Sequence, residues 1–196
     1  MGINIRMAKP EDAAAVLAIY APYIENTSFT FETETPSVEN FAQRISQYLQ
    51  QWPWLICECD GVVAGYAYAT RHRERKAYQW CTESSVYIHD DFHRKGIAAA
   101  LYKALFDILK KQGFHNVYAV INLPNDPSVA LHESLGFQWF ATYEKVGYKL
   151  GRWKNVGWWR LVINEFIQEP PDPVAFSAMD KAFLPALFDK YKDQIS

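Results

Sequence analysis

The residues best suited to chemistry lie where a predicted strand, a short basic turn and a predicted helix follow one another. Residues 84–88 read as a strand, residues 94–96 read Arg-Lys-Gly, and a helical pattern runs from Ala98 to Gln112. The free N–H groups at a helix start, together with the helix dipole, bind phosphate groups. The pattern therefore predicts a pyrophosphate site. A capped core helix beside solvated cations would explain the same residues.

Two common nucleotide motifs are missing from the chain. The P-loop pattern GxxxxGK followed by Ser or Thr does not occur, which disfavours an ordinary NTPase, and GxGxxG is absent as well. The chain has three cysteines, Cys57, Cys59 and Cys81. No second pair of Cys or His residues has the spacing of metal ligands, so we expect no metal site. We interpret the cysteines as the reduced thiols of a cytoplasmic protein.

The elements that must position the basic turn indicate an α/β protein with a mixed sheet. Asp60-Gly61 predicts a hairpin turn inside a β-meander. Gly113 and Gly136 predict the ends of two helices. The predicted order is strand 3–7, helices from Pro10 to about 26 and from Ser37 to about 52, strands 55–59, 62–68 and 84–88, helix 98–112, strand 117–121, helix 128–135, and strands 137–143 and 158–163.

Composition favours an ordinary globular protein. The chain has 196 residues, of which 49% are apolar and 21% are charged, with a net charge of −2. A dedicated nucleic-acid binder normally carries a basic stripe. This chain is net acidic and has only one short basic and aromatic cluster, at 71–80, so a nucleic-acid-binding function is disfavoured. No apolar run reaches the roughly 18 residues of a membrane span, and we expect no membrane association.

Several motifs resemble the GNAT N-acetyltransferases. The acyl-CoA signature Gln/Arg-x-x-Gly-x-Gly/Ala reads His93-Arg94-Lys95-Gly96-Ile97-Ala98 here, with His93 in place of the usual Gln or Arg. Further segments resemble the phosphinothricin and methionine sulfoximine acetyltransferase branch, from about residue 3 to 165. They are residues 82–88, 123–128, 132–137, 147–149 and 151–153.

The resemblance implies the GNAT fold, a splayed mixed central sheet flanked by helices, and acetyl-CoA as co-substrate. The strand before the turn would hydrogen-bond the pantetheine arm, and the turn and helix start would hold the pyrophosphate. The cofactor-binding residues implied are Val86, Tyr87, Ile88, Arg94, Lys95, Gly96, Ile97, Ala98, Ala99, Asn125 and Ser134.

The resemblance also implies the catalytic residues. Glu83 would be the general base that removes a proton from the substrate ammonium, directly or through one water. A salt-bridged strand glutamate is the alternative. His132 matches a histidine near the reacting centre and would act as assisting base, proton shuttle or orienter, unless it is a packed helix histidine. Tyr102 could protonate the departing thiolate, although packing explains a helix tyrosine better.

The acceptor substrate would be bound by residues of the loop that precedes Gln79 and by residues near that loop. Guanidinium groups suit a carboxylate or phosphinate because they donate two parallel hydrogen bonds, although a solvated basic turn is the alternative. The predicted substrate-binding residues are Phe31, Arg73, Glu74, Arg75, Tyr78, Glu83, Ser84 and Ser85.

The expected activity is acetylation of the α-amine of small amino-acid-like substrates such as phosphinothricin, methionine sulfoximine or methionine sulfone, by direct transfer in a ternary complex. An N-acetyltransferase for another amine or a protein N-terminus, and a non-catalytic CoA-binding regulatory domain, are the alternatives. Residues 1–167 would form the GNAT domain and 168–196 a Pro-rich linker with an appendage helix at 176–191. The branch commonly forms homodimers, and we expect one here.

Overall fold

The computed structural model describes residues 2–196. The sheet has seven strands in the order β1-β2-β3-β4-β5-β7-β6. All neighbours are antiparallel except β4 and β5, which are parallel, so the predicted mixed α/β sheet is confirmed. The elements are β1 Ile3–Met7, α1 Ala13–Asn26, α2 Val38–Gln51, β2 Trp54–Cys59, β3 Val62–Arg71, β4 Cys81–Ile88, α3 Ile97–Gln112, β5 Asn116–Leu123, α4 Asp126–Ser134, β6 Gln138–Lys149, β7 Arg152–Val162 and α5 Leu184–Lys192.

Helices cover both faces of the sheet and create two apolar cores. On one face, α3 packs its buried stripe against the sheet, around Leu101, Leu105 and Phe114. On the other face, α1 and α2 pack around Trp54 and Tyr66. Ser37 caps α2 by accepting a hydrogen bond from Asn40 N, as its position before an amphipathic run predicts. The two layers hold the central strands rigidly from both sides.

The last two strands form a longer hairpin than predicted. The strands were expected at 137–143 and 158–163, whereas β6 and β7 pair from Gln138–Arg160 to Lys149–Arg152, with irregularities in β6 after Trp139 and Tyr143. Much of the hairpin is solvent-exposed on both faces, so it lacks the alternation that marks a half-buried strand. Its turn uses positive φ at Leu150 and Gly151, the geometry of a tight hairpin turn.

The C-terminal segment differs from the predicted helix at 176–191. Phe176–Ala178 forms a 3₁₀ turn, and α5 starts only at Leu184. Pro185 explains this start because proline lacks an N–H and suits the first helical turn. Phe176, Leu184, Tyr191 and Ile195 join the core on the α3 face. A boundary between 167 and 168 stays a prediction.

Within residues 2–196, none of the helices combines the length and the apolar run that a bilayer crossing requires.

Candidate active site

The central feature of the site is a split between two parallel strands. β4 and β5 pair only from Cys81 to Glu83 on β4 and from Asn116 to Tyr118 on β5. Beyond Glu83, β4 continues along β3 and β5 continues along β7, so the two strands separate. Their facing backbone groups therefore have no strand partner beyond the split. An extended ligand can pair with these groups.

A cavity of about 990 Å³ occupies the split. Tyr102 and His132 line it from the α3 face, while Phe29, Val120 and Asn122 line it from the opposite face. Residues from both faces reach one cavity because the sheet is open here. The hydroxyl of Ser84, which also lines the cavity, is buried and makes no hydrogen bond in the part of the chain described. The cavity thus offers polar groups to a ligand that passes through the sheet.

The start of α3 lies against this cavity. Gly96 is the N-cap with φ of 80°, a conformation that favours glycine, and Arg94 also has positive φ. The first helical hydrogen bond runs from Ala100 N to Gly96 O, so the N–H groups of residues 97–99 have no helical partner. No side chain caps the helix. These N–H groups and the helix dipole can bind an anion, as the sequence predicted.

The structure brings most of the predicted cofactor-binding residues to the cavity. Lys95 is the exception, since its ammonium lies 4.7 Å from the ring centroid of Phe92 and the residue does not line the cavity. The Ile88 carbonyl already accepts hydrogen bonds from Tyr23 Oη at 2.9 Å and His93 Nε2 at 3.1 Å. The predicted residues that line the cavity are Val86, Tyr87, Ile88, Arg94, Gly96, Ile97, Ala98, Ala99, Asn125 and Ser134.

His132 and Tyr102 form a buried pair that lines the cavity. His132 Nδ1 lies 2.7 Å from the Ser128 carbonyl, which only accepts, so Nδ1 carries the proton and donates. His132 Nε2 therefore accepts from Tyr102 Oη, 3.1 Å away. Desolvation by burial lowers the pKa of His132 and raises the pKa of Tyr102 well above its ordinary value. At neutral pH the pair is a neutral imidazole holding a protonated phenol.

Glu83 occupies the last paired position before the strands separate. Its side chain is 29% exposed, and Oε1 lies 2.9 Å from His72 Nδ1. Tyr118 is its neighbour across the β4–β5 ladder. The adjacent residues Ser84 and Ser85 line the cavity. The carboxylate is therefore at the vertex of the split, on the face opposite to α3.

The predicted substrate-binding residues are divided between two places. Ser84 and Ser85 line the large cavity, whereas Arg73, Glu74, Arg75 and Tyr78 surround a smaller one of about 330 Å³ beside the β3–β4 connection. Two of the latter group still reach the Glu83 face. The Arg73 guanidinium lies 6.0 Å from the Trp158 ring, and the Tyr78 ring lies 6.2 Å from that of His72.

Phe31 lies apart from both cavities and packs against the hairpin. A Cβ at Gly147 would collide with the tip of the Phe31 ring, so the ring can lie over this residue only because it is glycine or else must shift. The buried ammonium of Lys149 donates to the Thr30 carbonyl at 2.8 Å. These contacts fix the loop after α1 against β6, and that loop also brings Phe29 to the large cavity.

Sequence reasoning missed the aromatic residues that surround Glu83. The His72 ring stacks on Tyr118 with centroids 4.3 Å apart and meets Trp158 edge-on at 6.0 Å. Tyr143 packs against Trp158 at 5.4 Å. These residues come from the position after β3 and from β5, β6 and β7, and no local motif links them. We call His72, Tyr118, Tyr143 and Trp158 the acceptor face.

Comparison with known proteins decides the family. The model of the GNAT acetyltransferase domain matches residues 5–158. The chain belongs to the GNAT acetyltransferase family. The resemblance inferred from the sequence is therefore confirmed, and with it the fold and the enzyme class, N-acetyltransferase.

Two curated GNAT relatives cover most of the chain. A phosphinothricin N-acetyltransferase of Streptomyces viridochromogenes is 41% identical over 172 residues, which are 88% of this chain and 93% of that protein. An L-methionine sulfoximine/L-methionine sulfone acetyltransferase of Salmonella typhimurium is 33% identical over 164 residues, 83% of this chain and 96% of that protein. Both belong to the branch that the sequence motifs resemble.

A solved GNAT structure shows the same architecture with a ligand. A phosphinothricin acetyltransferase of Sinorhizobium meliloti, solved in complex with acetyl-CoA, superimposes with a TM-score of 0.83 at 31% identity. The match covers 89% of this chain and 96% of that one. This relative agrees with the predicted acetyl-CoA co-substrate.

Proposed function

We propose that this enzyme acetylates the α-amine of small amino-acid-like substrates, with acetyl-CoA as donor, by direct transfer in a ternary complex. The observation that carries the proposal is the position of Glu83 at the vertex of the split. There, a cavity suited to an extended anionic coenzyme meets a half-buried carboxylate among aromatic rings. The relatives that act on phosphinothricin and on methionine sulfoximine support this substrate class.

The residues of the split fit the coenzyme. The N–H groups of residues 97–99 and the Arg94 guanidinium would hold the diphosphate. The open edge of β4 would pair with the pantetheine amides, since beyond Glu83 the β4 groups on the side away from β3 face no strand. The unpartnered Ser84 hydroxyl would gain a hydrogen bond, and Asn125 and Ser134 would line the same arm.

Side chains of this enzyme would then carry out two proton transfers, one from the substrate ammonium and one to the leaving thiolate. Bound acetyl-CoA supplies the acetyl group as a thioester. Glu83 takes a proton from the substrate ammonium, and the neutral amine then forms a C–N bond to the thioester carbonyl carbon as the C–S bond breaks. Tyr102, kept protonated by burial, lines the cavity and would donate a proton to the leaving thiolate, while the second proton lost by the amine nitrogen would restore the phenol. His132 holds the Tyr102 hydroxyl and, as a neutral acceptor, acts as the orienter among its predicted roles.

Arg73 and Arg75 would bind the carboxylate or phosphinate of the substrate. Both lie on the β3–β4 connection, where the Arg73 guanidinium is 6.0 Å from the Trp158 ring of the acceptor face and Arg75 lines the smaller cavity. A guanidinium can donate two parallel hydrogen bonds to such an anion. The acceptor face would pack against the aliphatic part of the substrate. This arrangement favours a small acidic amine over a bulky neutral one.

A thiol-release assay with a panel of amines tests the proposal. The panel contains phosphinothricin, methionine sulfoximine, methionine sulfone, unmodified amino acids and a peptide with a free N-terminus. We expect turnover with the first three and the lowest activity with the peptide. Preference for the peptide would favour a protein N-terminal acetyltransferase. Binding of CoA without turnover of any amine would favour a regulatory domain.

We also propose a homodimer that pairs through the β6–β7 hairpin. Several large apolar residues of the hairpin are exposed, among them Trp153 at 62% and Tyr148 at 60%, and β6 is an edge strand. Light scattering should give twice the mass of 22.7 kDa, and Trp153→Glu should shift the protein toward the monomer. Val62→Glu, at an exposed apolar residue outside the hairpin, is the control. A monomeric wild type would contradict the proposal.

We propose a cytoplasmic location. The support is that Cys57, Cys59 and Cys81 are all free thiols, as expected in a reducing compartment. Fractionation of the producing cells, with activity found in the membrane or in an exported fraction, would contradict it.

A further inference from the structure

His72 is the residue of the acceptor face that contacts the proposed base directly. It follows the last residue of β3, Arg71, and its side chain is 11% exposed. His72 Nδ1 lies 2.9 Å from Glu83 Oε1, within hydrogen-bond distance. This is the one hydrogen bond of the Glu83 side chain among residues 2–196.

Aromatic surfaces fix the orientation of the His72 ring. The ring stacks on Tyr118 with an interplanar angle of 20°, and Trp158 and Tyr78 meet it edge-on. Tyr118 is also the ladder neighbour of Glu83. A ring held on three sides has little rotational freedom, so Nδ1 stays directed at the carboxylate.

The hydrogen bond assigns a proton. An ionised carboxylate only accepts, so Nδ1 carries the hydrogen and donates it to Oε1. The second oxygen, Oε2, makes no hydrogen bond to the described residues. One oxygen is thus used for orientation, while the other is left for a substrate ammonium or a bridging water.

We infer that His72 is a positioning residue that holds the Glu83 carboxylate for proton transfer through Oε2. The inference rests on the proposed function. It adds a role for a residue outside the predicted site. Loss of the donor would leave the carboxylate free to rotate away from the amine, and catalysis is sensitive to such misplacement.

Two substitutions separate the donor from the ring. His72→Phe keeps the stacking surface and removes the donor, whereas His72→Asn keeps a donor near the Nδ1 position and removes most of the ring. We expect His72→Phe to lower kcat about 10-fold or more at an unchanged KM for acetyl-CoA, as loss of a hydrogen bond to a charged group implies. We expect His72→Asn to retain more activity than His72→Phe.

A control and a double variant exclude a merely structural effect. His115 stacks on Phe166 at 5.7 Å and makes no carboxylate contact, so His115→Phe should leave kcat within about twofold. Adding His72→Phe to Glu83→Gln should cause no further loss, because one residue acts through the other. If His72→Phe fails to fold, His72→Ala replaces it, with restoration of kcat by added imidazole as the expected result.

The outcomes are distinguishable from failure of the proposed function. If the wild type acetylates no amine, the proposed function fails before His72 is tested. If the wild type is active and His72→Phe keeps the wild-type kcat, the inference about His72 is wrong. Independent, multiplicative losses in His72→Phe and Glu83→Gln would also contradict it.

Discussion

The proposed coenzyme cleft, which is the large cavity in the split between β4 and β5, and the acceptor face are built in different ways. The cleft uses mainly backbone: the open edge of β4 and the N–H groups at the start of α3, which lie close together in the chain. The acceptor face uses side chains from the position after β3 and from β5, β6 and β7, which only the sheet brings together. A site made of backbone tolerates changes of side chain, whereas a site made of side chains can change its substrate by single substitutions.

The largest effect should come from Glu83, where the two regions meet. General-base catalysis typically contributes about 10²–10⁴-fold, so Glu83→Gln should lower kcat by about 100-fold or more. The affinity for CoA, measured by calorimetry, should stay unchanged because the cleft does not use this side chain. Glu144→Gln, an exposed carboxyl on β6, is the control. A full kcat in Glu83→Gln would remove the proposed base.

A substitution on the acceptor side should change substrate binding alone. Arg75→Ala should raise the KM for methionine sulfoximine about 10–100-fold, the equivalent of roughly 1.5–3 kcal/mol for hydrogen bonds to a charged group. The KM for acetyl-CoA should not move. Arg75→Lys should give a smaller increase, since a lysine keeps the charge but loses the paired donors. An unchanged KM would show that the anion binds elsewhere.

A substitution in the cleft should instead change the binding of acetyl-CoA. Gly96→Ala places a Cβ 3.1 Å from the Gln194 carbonyl at a φ of +80°, which costs about 1–2 kcal/mol and displaces the helix start. We expect the KM for acetyl-CoA to rise about 5–10-fold at a nearly constant kcat. Gly61→Ala has a φ of +81° in open space, so it carries similar strain without touching the cleft. Equal KM changes in both variants would contradict a local role for Gly96.

The smallest effect concerns His132 and pH. Burial lowers its pKa below the ordinary 6.5, so the unfolded chain binds the proton more tightly than the folded one. Stability from this group is therefore full above pH 6.5 and decreases as the pH falls below it. Thermal melts at pH 7.5 and 5.5 should show a smaller loss for His132→Gln than for wild type. Identical losses would mean that His132 does not titrate as assigned.

The cleft could be predicted from the sequence because its parts are contiguous. Glu83, the strand at 84–88, the turn and the helix start occupy about twenty consecutive residues, so local patterns predicted the elements and the GNAT resemblance implied their roles. Lys95 was the exception: neighbouring residues in a turn point in different directions, and its ammonium packs on Phe92 instead.

The acceptor face could not be predicted in the same way. His72 was visible only as part of a basic loop, and Tyr118 and Trp158 only as aromatic residues of strands. Their contacts depend on the pairing of β5 with β4 and β7 and on the register of those pairs, which local patterns do not determine. The predicted bounds of the last two strands were wrong for a different reason. Both faces of the β6–β7 hairpin are largely exposed, so the sequence lacks the alternation of apolar and polar residues that marks a strand.

A crystal structure with CoA and methionine sulfone would show both halves of the proposed site at once. We expect the diphosphate on the N–H groups of residues 97–99, the pantetheine arm between β4 and β5, and the sulfone's amine within hydrogen-bond reach of Glu83 Oε2, directly or through one water. A coenzyme bound outside the split, or an amine on the far side of the sheet from Glu83, would contradict this expectation.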